Sequence, residues 1–167
     1  EHKVEIKSLD VFKNPTDTLI PTAGGDRYLE LVVGGMQSNF VKDGEVFVFE
    51  SGLKVAYNND AYTDAIKIFE TDSGLMFMSP YDMSYFQMSD QSQGMLTRDS
   101  VQPFIPKRLY QLGGEQFVFK QYYLGAVKEV MPSNIDKKGL MGFKLAVSVD
   151  GVTEEVVIKG AKGVLPT

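Results

Sequence analysis

The chain has 167 residues, 43% of them apolar and 23% charged, enough to close one hydrophobic core. Its formal charge of −5 comes without any basic cluster, so a nucleic-acid backbone finds no complementary surface. There is no cysteine, and the one histidine is His2, which excludes disulfides, thiol catalysis, Cys/His zinc sites and C-x-x-C-H haem attachment.

The chain opens Glu1-His2-Lys3-Val4, with neither an initiator methionine nor a signal-type apolar stretch, and is expected to be a fragment of a longer protein. No run approaches the roughly 18 consecutive apolar residues of a membrane-spanning helix. Sixteen glycines and seven prolines punctuate short runs rich in Val, Ile, Phe and Tyr, the pattern of β structure. Period-two alternation marks Val4-Glu5-Ile6-Lys7, Tyr28 to Val33, Gly44 to Glu50 and Leu53-Lys54-Val55 as strands, each with one face turned inward.

Ala65 to Glu70, the turn residues Thr71-Asp72-Ser73-Gly74, and Leu75 to Pro80 read as a hairpin. Tyr62, Ala65, Ile66 and Phe69 also fit helical spacing, and a helix capped by Asn59 or Asp60 competes with it. From Ser89 to Gly114 the alternation weakens, and Pro103 and Pro106 remove two main-chain donors, which predicts an exposed connection or a sheet edge. Near the end, Phe143 to Val149, Asp150-Gly151 and Val152 to Ile158 predict a hairpin on a two-residue type I′ turn. Gly44 to Phe49 and Gly114 to Phe119 share five residues of six, a chance echo or a duplicated β unit. The expected architecture is a single domain, residues 1–167: an all-β, antiparallel two-sheet β-sandwich of about ten to twelve strands with at most short helical turns.

Chemistry-bearing residues are sparse. Asp82, Asp90, Asp99 and Asp136 could serve as an acid–base pair, but no spacing forces two of them together. Asn58-Asn59-Asp60 and Asp64 come nearest to a calcium loop, yet lack its alternation and its glycine, which favours an asparagine-rich turn. Met76, Met78, Met83, Met88 and Met95 crowd into twenty residues, with Met76 and Met78 on one strand face. Thioethers ligate soft metals and haem iron, but filling an irregular core is their commoner use. Tyr81, Tyr85 and Phe86 form either an exposed aromatic platform for a peptide or sugar, or a half-buried strand whose phenols find partners.

Ser79-Pro80-Tyr81-Asp82, Met88-Ser89-Asp90-Gln91-Ser92-Gln93-Gly94 and Asp99-Ser100 resemble, in order and spacing, the ResB family of cytochrome c biogenesis membrane proteins. Ser38-Asn39, Ala65 to Ile68 with Ser73-Gly74-Leu75, Leu109-Tyr110, Gln116-Phe117-Val118 and Lys159 to Gly163 extend the resemblance over Gly34 to Gly163. One departure is Met36-Gln37, where the family usually has Gly-Glu. The resemblance implies an extracytoplasmic β domain on the periplasmic side of the inner membrane, in a membrane-anchored parent chain. It implies a CcsA-like partner protein and apocytochrome c as partners. Haem in that family is handled by histidines at the membrane spans and a tryptophan-rich segment of CcsA, so no cofactor is expected on this domain. The expected role is non-catalytic positioning of apocytochrome or a partner subunit, with Tyr81, Asp82, Tyr85, Met88, Asp90 and Gln91 as binding residues and no catalytic or metal-ligating ones. A secreted or lipoprotein β-sandwich that binds glycan or peptide is the alternative.

Overall fold

The computed structural model describes residues 2–34, 37–133 and 140–161. Among them the chain is all β, with fourteen strands and no helix. It divides into two compact units: a central one, Pro21–Ala126, and a terminal one, Glu1–Ile20 with Val127–Thr167.

The central unit is a β-sandwich. One sheet runs β10 (Gln102–Pro103), β7 (Gly74–Met78), β6 (Ala65–Thr71), β5 (Lys54–Tyr57) and β4 (Val46–Val48). The other runs β3 (Gln37–Lys42), β2 (Pro15–Val33), β12 (Glu115–Pro132), β11 (Arg108–Leu112), β8 (Met83–Gln87) and β9 (Gln93–Leu96), with residues 15–20 of β2 and 127–132 of β12 belonging to the terminal unit. Alternate residues of each strand point inward, so Val55, Tyr57, Ile66, Ile68 and Phe77 of the first sheet meet Leu29, Leu31, Met83, Tyr110, Phe117 and Phe119 of the second in one core. Phe77 stacks on Tyr110 with centroids 4.8 Å apart and planes 10° off parallel, and Phe49 meets Phe117 edge-on at 5.4 Å. Such pairs contribute roughly 0.5–1.5 kcal/mol each beyond the area they bury.

The strand reading of Ala65 to Phe69 prevails over the helical one, because Ile66 and Ile68 both enter this core from β6. The β6–β7 hairpin is tighter than expected: Thr71 pairs with Gly74 across only Asp72 and Ser73. Pro103 lies in the edge strand β10, where its missing N–H leaves no gap in a ladder. Arg108–Leu112, by contrast, is an interior strand within the stretch expected to be a connection or an edge; its inward Tyr110 is fully buried. β5 and β6 run parallel, with Lys54 opposite Ala65, whereas β4–β5, β6–β7 and β7–β10 in the same sheet are antiparallel. The echoing segments Gly44 to Phe49 and Gly114 to Phe119 lie in different sheets, one ending in the edge strand β4 and the other in the interior strand β12.

In the terminal unit β1 (Val4–Lys13), β13 (Leu140–Val149) and β14 (Val152–Ala161) form a three-stranded sheet in the order β1-β13-β14. Asp150 and Gly151 have φ of 50° and 86°, the two positive angles a type I′ turn needs, and Val149 pairs directly with Val152 as predicted. The expectation of an inward face on Val4 to Lys7 is corrected: Val4 and Ile6 are 56% and 66% exposed. Register aligns Val4, Val149 and Val152, then Ile6, Val147 and Glu154, then Ser8, Leu145 and Val156, on that same open face.

Candidate functional site

The β8–β9 hairpin and its neighbour β11 form an open groove of about 460 Å³. On β8, Met83 and Tyr85 turn toward the core, so Ser84 and Phe86 turn outward. Phe86 stands opposite Gln93 of β9 and Leu109 of β11, while Ser84 stands opposite Met95 and Gln111. These six side chains line the groove together with Tyr85 and Gly94. None of them carries a charge. Phe86 and Met95 are 38% and 69% exposed, an aromatic ring and a thioether presented side by side with two amides and a hydroxyl.

Polar contacts brace β8 on its other face and at the hairpin tip. The Tyr85 ring lies under the Arg108 guanidinium, 4.2 Å from centroid to Cζ. Arg108 Nε donates to Gln87 Oε1 at 3.0 Å, and Gln87 Nε2 donates to Ser89 Oγ at 3.2 Å. A Cβ at Gly94 would stand 3.0 Å from the Tyr85 ring, so the absent side chain leaves that ring its place. At the hairpin tip the Asp90 carboxylate accepts from Ser92 Oγ at 2.7 Å and from Ser92 N at 3.0 Å. These side-chain and main-chain donors hold its carboxyl below the usual range. Gln91 adopts φ 59° at the same tip, and Met88 beside it is exposed.

The six expected binding residues therefore do not form one surface. Tyr85, Met88, Asp90 and Gln91 belong to β8 and the turn that follows it. Tyr81 and Asp82 lie beyond the other end of the strand. Tyr81 OH donates to Asp64 O at 3.1 Å, and its ring lines a separate groove with Leu53, Leu112 and the Gly113-Gly114 turn. Asp82 Oδ1 accepts Arg98 N at 2.8 Å. The five residues of β8 separate Asp82 from Asp90 by about 17 Å, too far for two carboxylates to share a substrate atom. Asp136 lies outside the described residues, as do Met36 and the Lys162-Gly163 end of the motif set.

Tyr81, Tyr85 and Phe86 likewise do not make one platform, since Tyr85 and Phe86 line the first groove and Tyr81 lines the second. Core packing accounts for Met83 but not for Met88 and Met95, which are 51% and 69% exposed. Asn58, Asn59 and Asp60 build a turn. Asn58 Nδ2 donates to Asp43 Oδ1 at 2.9 Å, Asn59 Nδ2 to Gly44 O at 2.8 Å, and Lys67 Nζ to Asp60 Oδ1 at 2.8 Å. Among the described residues no group of three His, Asp or Glu side chains converges as a metal ion would require.

Sequence reasoning missed Glu30. In Tyr28 to Val33 it reads as an outward polar position, yet it is 3% exposed. Its carboxylate accepts Ser38 Oγ at 2.6 Å, Lys120 Nζ at 3.0 Å, Gln121 Nε2 at 2.9 Å and Tyr123 OH at 3.1 Å. Burial pushes the carboxyl up, and the donors of Ser38, Gln121 and Lys120 outweigh it, leaving Glu30 below the ordinary glutamate range. Three of those donors lie about ninety positions away in β12, and no local signal announces them. Every lone pair in reach is answered within the chain, which makes Glu30 a clamp between strands rather than a poised acid.

No protein family, curated protein or solved structure matches this chain.

Proposed function

We propose that this chain is a non-catalytic extracytoplasmic domain of a cytochrome c maturation assembly, ResB-like in kind, which positions apocytochrome or a CcsA-like partner by contact. One observation carries the reading. The residues that bear the family resemblance interlock across the sequence: Asp99 N donates to Ser79 O at 2.7 Å, and Asp82 takes the neighbouring Arg98 N–H. Asp90 and Ser92 close the hairpin tip at the far end of β8. The motif thus builds two braced loops flanking an uncharged groove. Side chains committed to main-chain bonds maintain a shape, which suits a scaffold better than an enzyme. Haem chemistry then belongs to the wider complex, on the periplasmic side of the inner membrane. Deleting the parent gene should abolish covalent haem staining of c-type cytochromes, with recovery from an intact copy and loss again when Phe86 and Met95 are both changed to Ser. Undiminished staining in the deletion strain overturns the assignment.

The uncharged lining favours a second reading, a β-sandwich that binds a neutral glycan or an extended peptide through Phe86, Gln93 and Gln111. Calorimetry against neutral oligosaccharides and peptides tests it. Heat of binding that disappears in Phe86→Ala supports this reading, and its survival in that variant rejects it.

A further inference from the structure

We infer that β14 is the interface through which two copies of this chain pair, edge to edge, into a twofold dimer. In the terminal unit β14 is an outer strand with no strand on its other side among the described residues. Which of its main-chain groups are free follows from β13. Asp150 N donates to Lys3 O and Leu140 O accepts Asn14 N, so the even-numbered residues of β13 turn toward β1. Its odd-numbered residues turn toward β14, where they meet Val152, Glu154, Val156 and Ile158. The N–H and C=O groups of Thr153, Glu155, Val157 and Lys159 therefore point outward from the edge.

A second copy can add there antiparallel, about an axis normal to the sheet, with one residue opposite itself, either outward-pointing in a hydrogen-bonded pair or inward-pointing in a non-hydrogen-bonded one. Among the inward-pointing residues, centring on Glu154 sets carboxylate against carboxylate, and centring on Val156 or Ile158 sets Val157 opposite Glu155 or Lys159 and joins no opposite charges. Centring on Glu155 sets carboxylate against carboxylate, and centring on Lys159 sets ammonium against ammonium. Centring on Thr153 leaves most of the strand unpaired. Centring on Val157 places Glu155 opposite Lys159 of the second copy, twice, and pairs Val156 with its Ile158. Within one chain Lys159 already meets Asp17 at 2.5 Å and Glu155 meets Lys144 at 2.8 Å. The joint would link these pairs into two alternating rows, each running Asp17, Lys159, Glu155, Lys144. It would also cover Val156, now 39% exposed, and carry the open apolar face of the sheet unbroken from one copy to the next.

The opposite edge is blunted. The register of β1 slips between Ser8 and Asp10, a bulge, and Val11 N already donates to Asp10 Oδ1 at 2.8 Å. The strand β14 has no such interruption.

The absence of cysteine supplies a direct test of register. In the pairing centred on Val157, its Cα would lie about 5.5 Å from its own copy, within disulfide reach, whereas Glu155 would lie about 13 Å from its own copy. Oxidised Val157→Cys should run as a covalent dimer and Glu155→Cys as a monomer. Sedimentation of the unmodified full chain should show a concentration-dependent species of twice 18.6 kDa. Glu155→Pro removes an N–H that only the dimer uses, and should weaken association at least about tenfold at unchanged circular dichroism. A single 18.6 kDa species at every concentration, or equal cross-linking at both positions, overturns the proposal and leaves the edge to a strand from another protein.

Discussion

The two units are written in the same β grammar and treat their apolar faces in opposite ways. In the central unit a second sheet covers the first, and Phe77, Tyr110, Phe117 and Phe119 are all at most 1% exposed. In the terminal unit, within Glu1–Ile20 and Val127–Thr167, Pro15 and Leu19 are the described apolar side chains that reach core burial, and Val4, Ile6, Val149 and Val152 meet solvent. Alternation specifies which side chains share a face; it does not specify whether anything covers that face. Buried apolar contact accordingly concentrates in the sandwich, and the terminal sheet keeps apolar side chains exposed.

That contrast can be broken at its strongest point by emptying the core. Phe119→Ala removes a ring that meets Phe77, Phe104, Tyr110 and Phe117, and should destabilise the central unit by about 3–5 kcal/mol in urea titrations. Next comes Glu30→Ala, which strands four donors and should cost about 2–3 kcal/mol. Because the carboxyl of Glu30 is held below its ordinary value in the folded chain, its contribution is complete above the unfolded pKa of about 4.3 and is lost as pH falls through the lower folded value. The gap between wild type and Glu30→Ala, measured by thermal melts from pH 7 down to pH 3, should therefore narrow with acid; a constant gap would show that the clamp is not ionised.

A smaller effect is expected where β2 and β12 approach. A Cβ on Gly25 would stand 2.7 Å from the main chain of Ala126, so Gly25→Ala forces a backbone shift and should cost about 1–3 kcal/mol by denaturant midpoint. Ile6→Thr in the terminal unit marks the lower bound. With its side chain 66% exposed, the change should alter stability by less than about 0.5 kcal/mol. A larger loss would mean that something covers that face in solution.

Legibility followed the range of the interactions. The Asp150-Gly151 hairpin, the edge at Pro103 and the strand over Ala65 to Phe69 were readable because turn angles, a missing donor and alternation act within a few residues. Strand β11 was obscured by the prolines around it, although Tyr110 anchors it in the core. The candidate site was readable only in part. Phe86 was recognisable as an aromatic beside Tyr85, but its neighbours Gln93, Met95, Leu109 and Gln111 come from other strands and converge through register.

By itself, then, the amino-acid order determined that the described residues are β, where the chain reverses most sharply, and that disulfides and thiol chemistry are closed to it. The tertiary structure alone decided that Glu30 is buried under Lys120, Gln121 and Tyr123, that Asp82 and Asp90 stand at opposite ends of a strand, and that one β face is covered while another stays open. The reason is physical. Strand propensity and turn angles are local properties of a few neighbouring residues, whereas burial, hydrogen-bond completion and the uncovered edge depend on partners far away in the sequence.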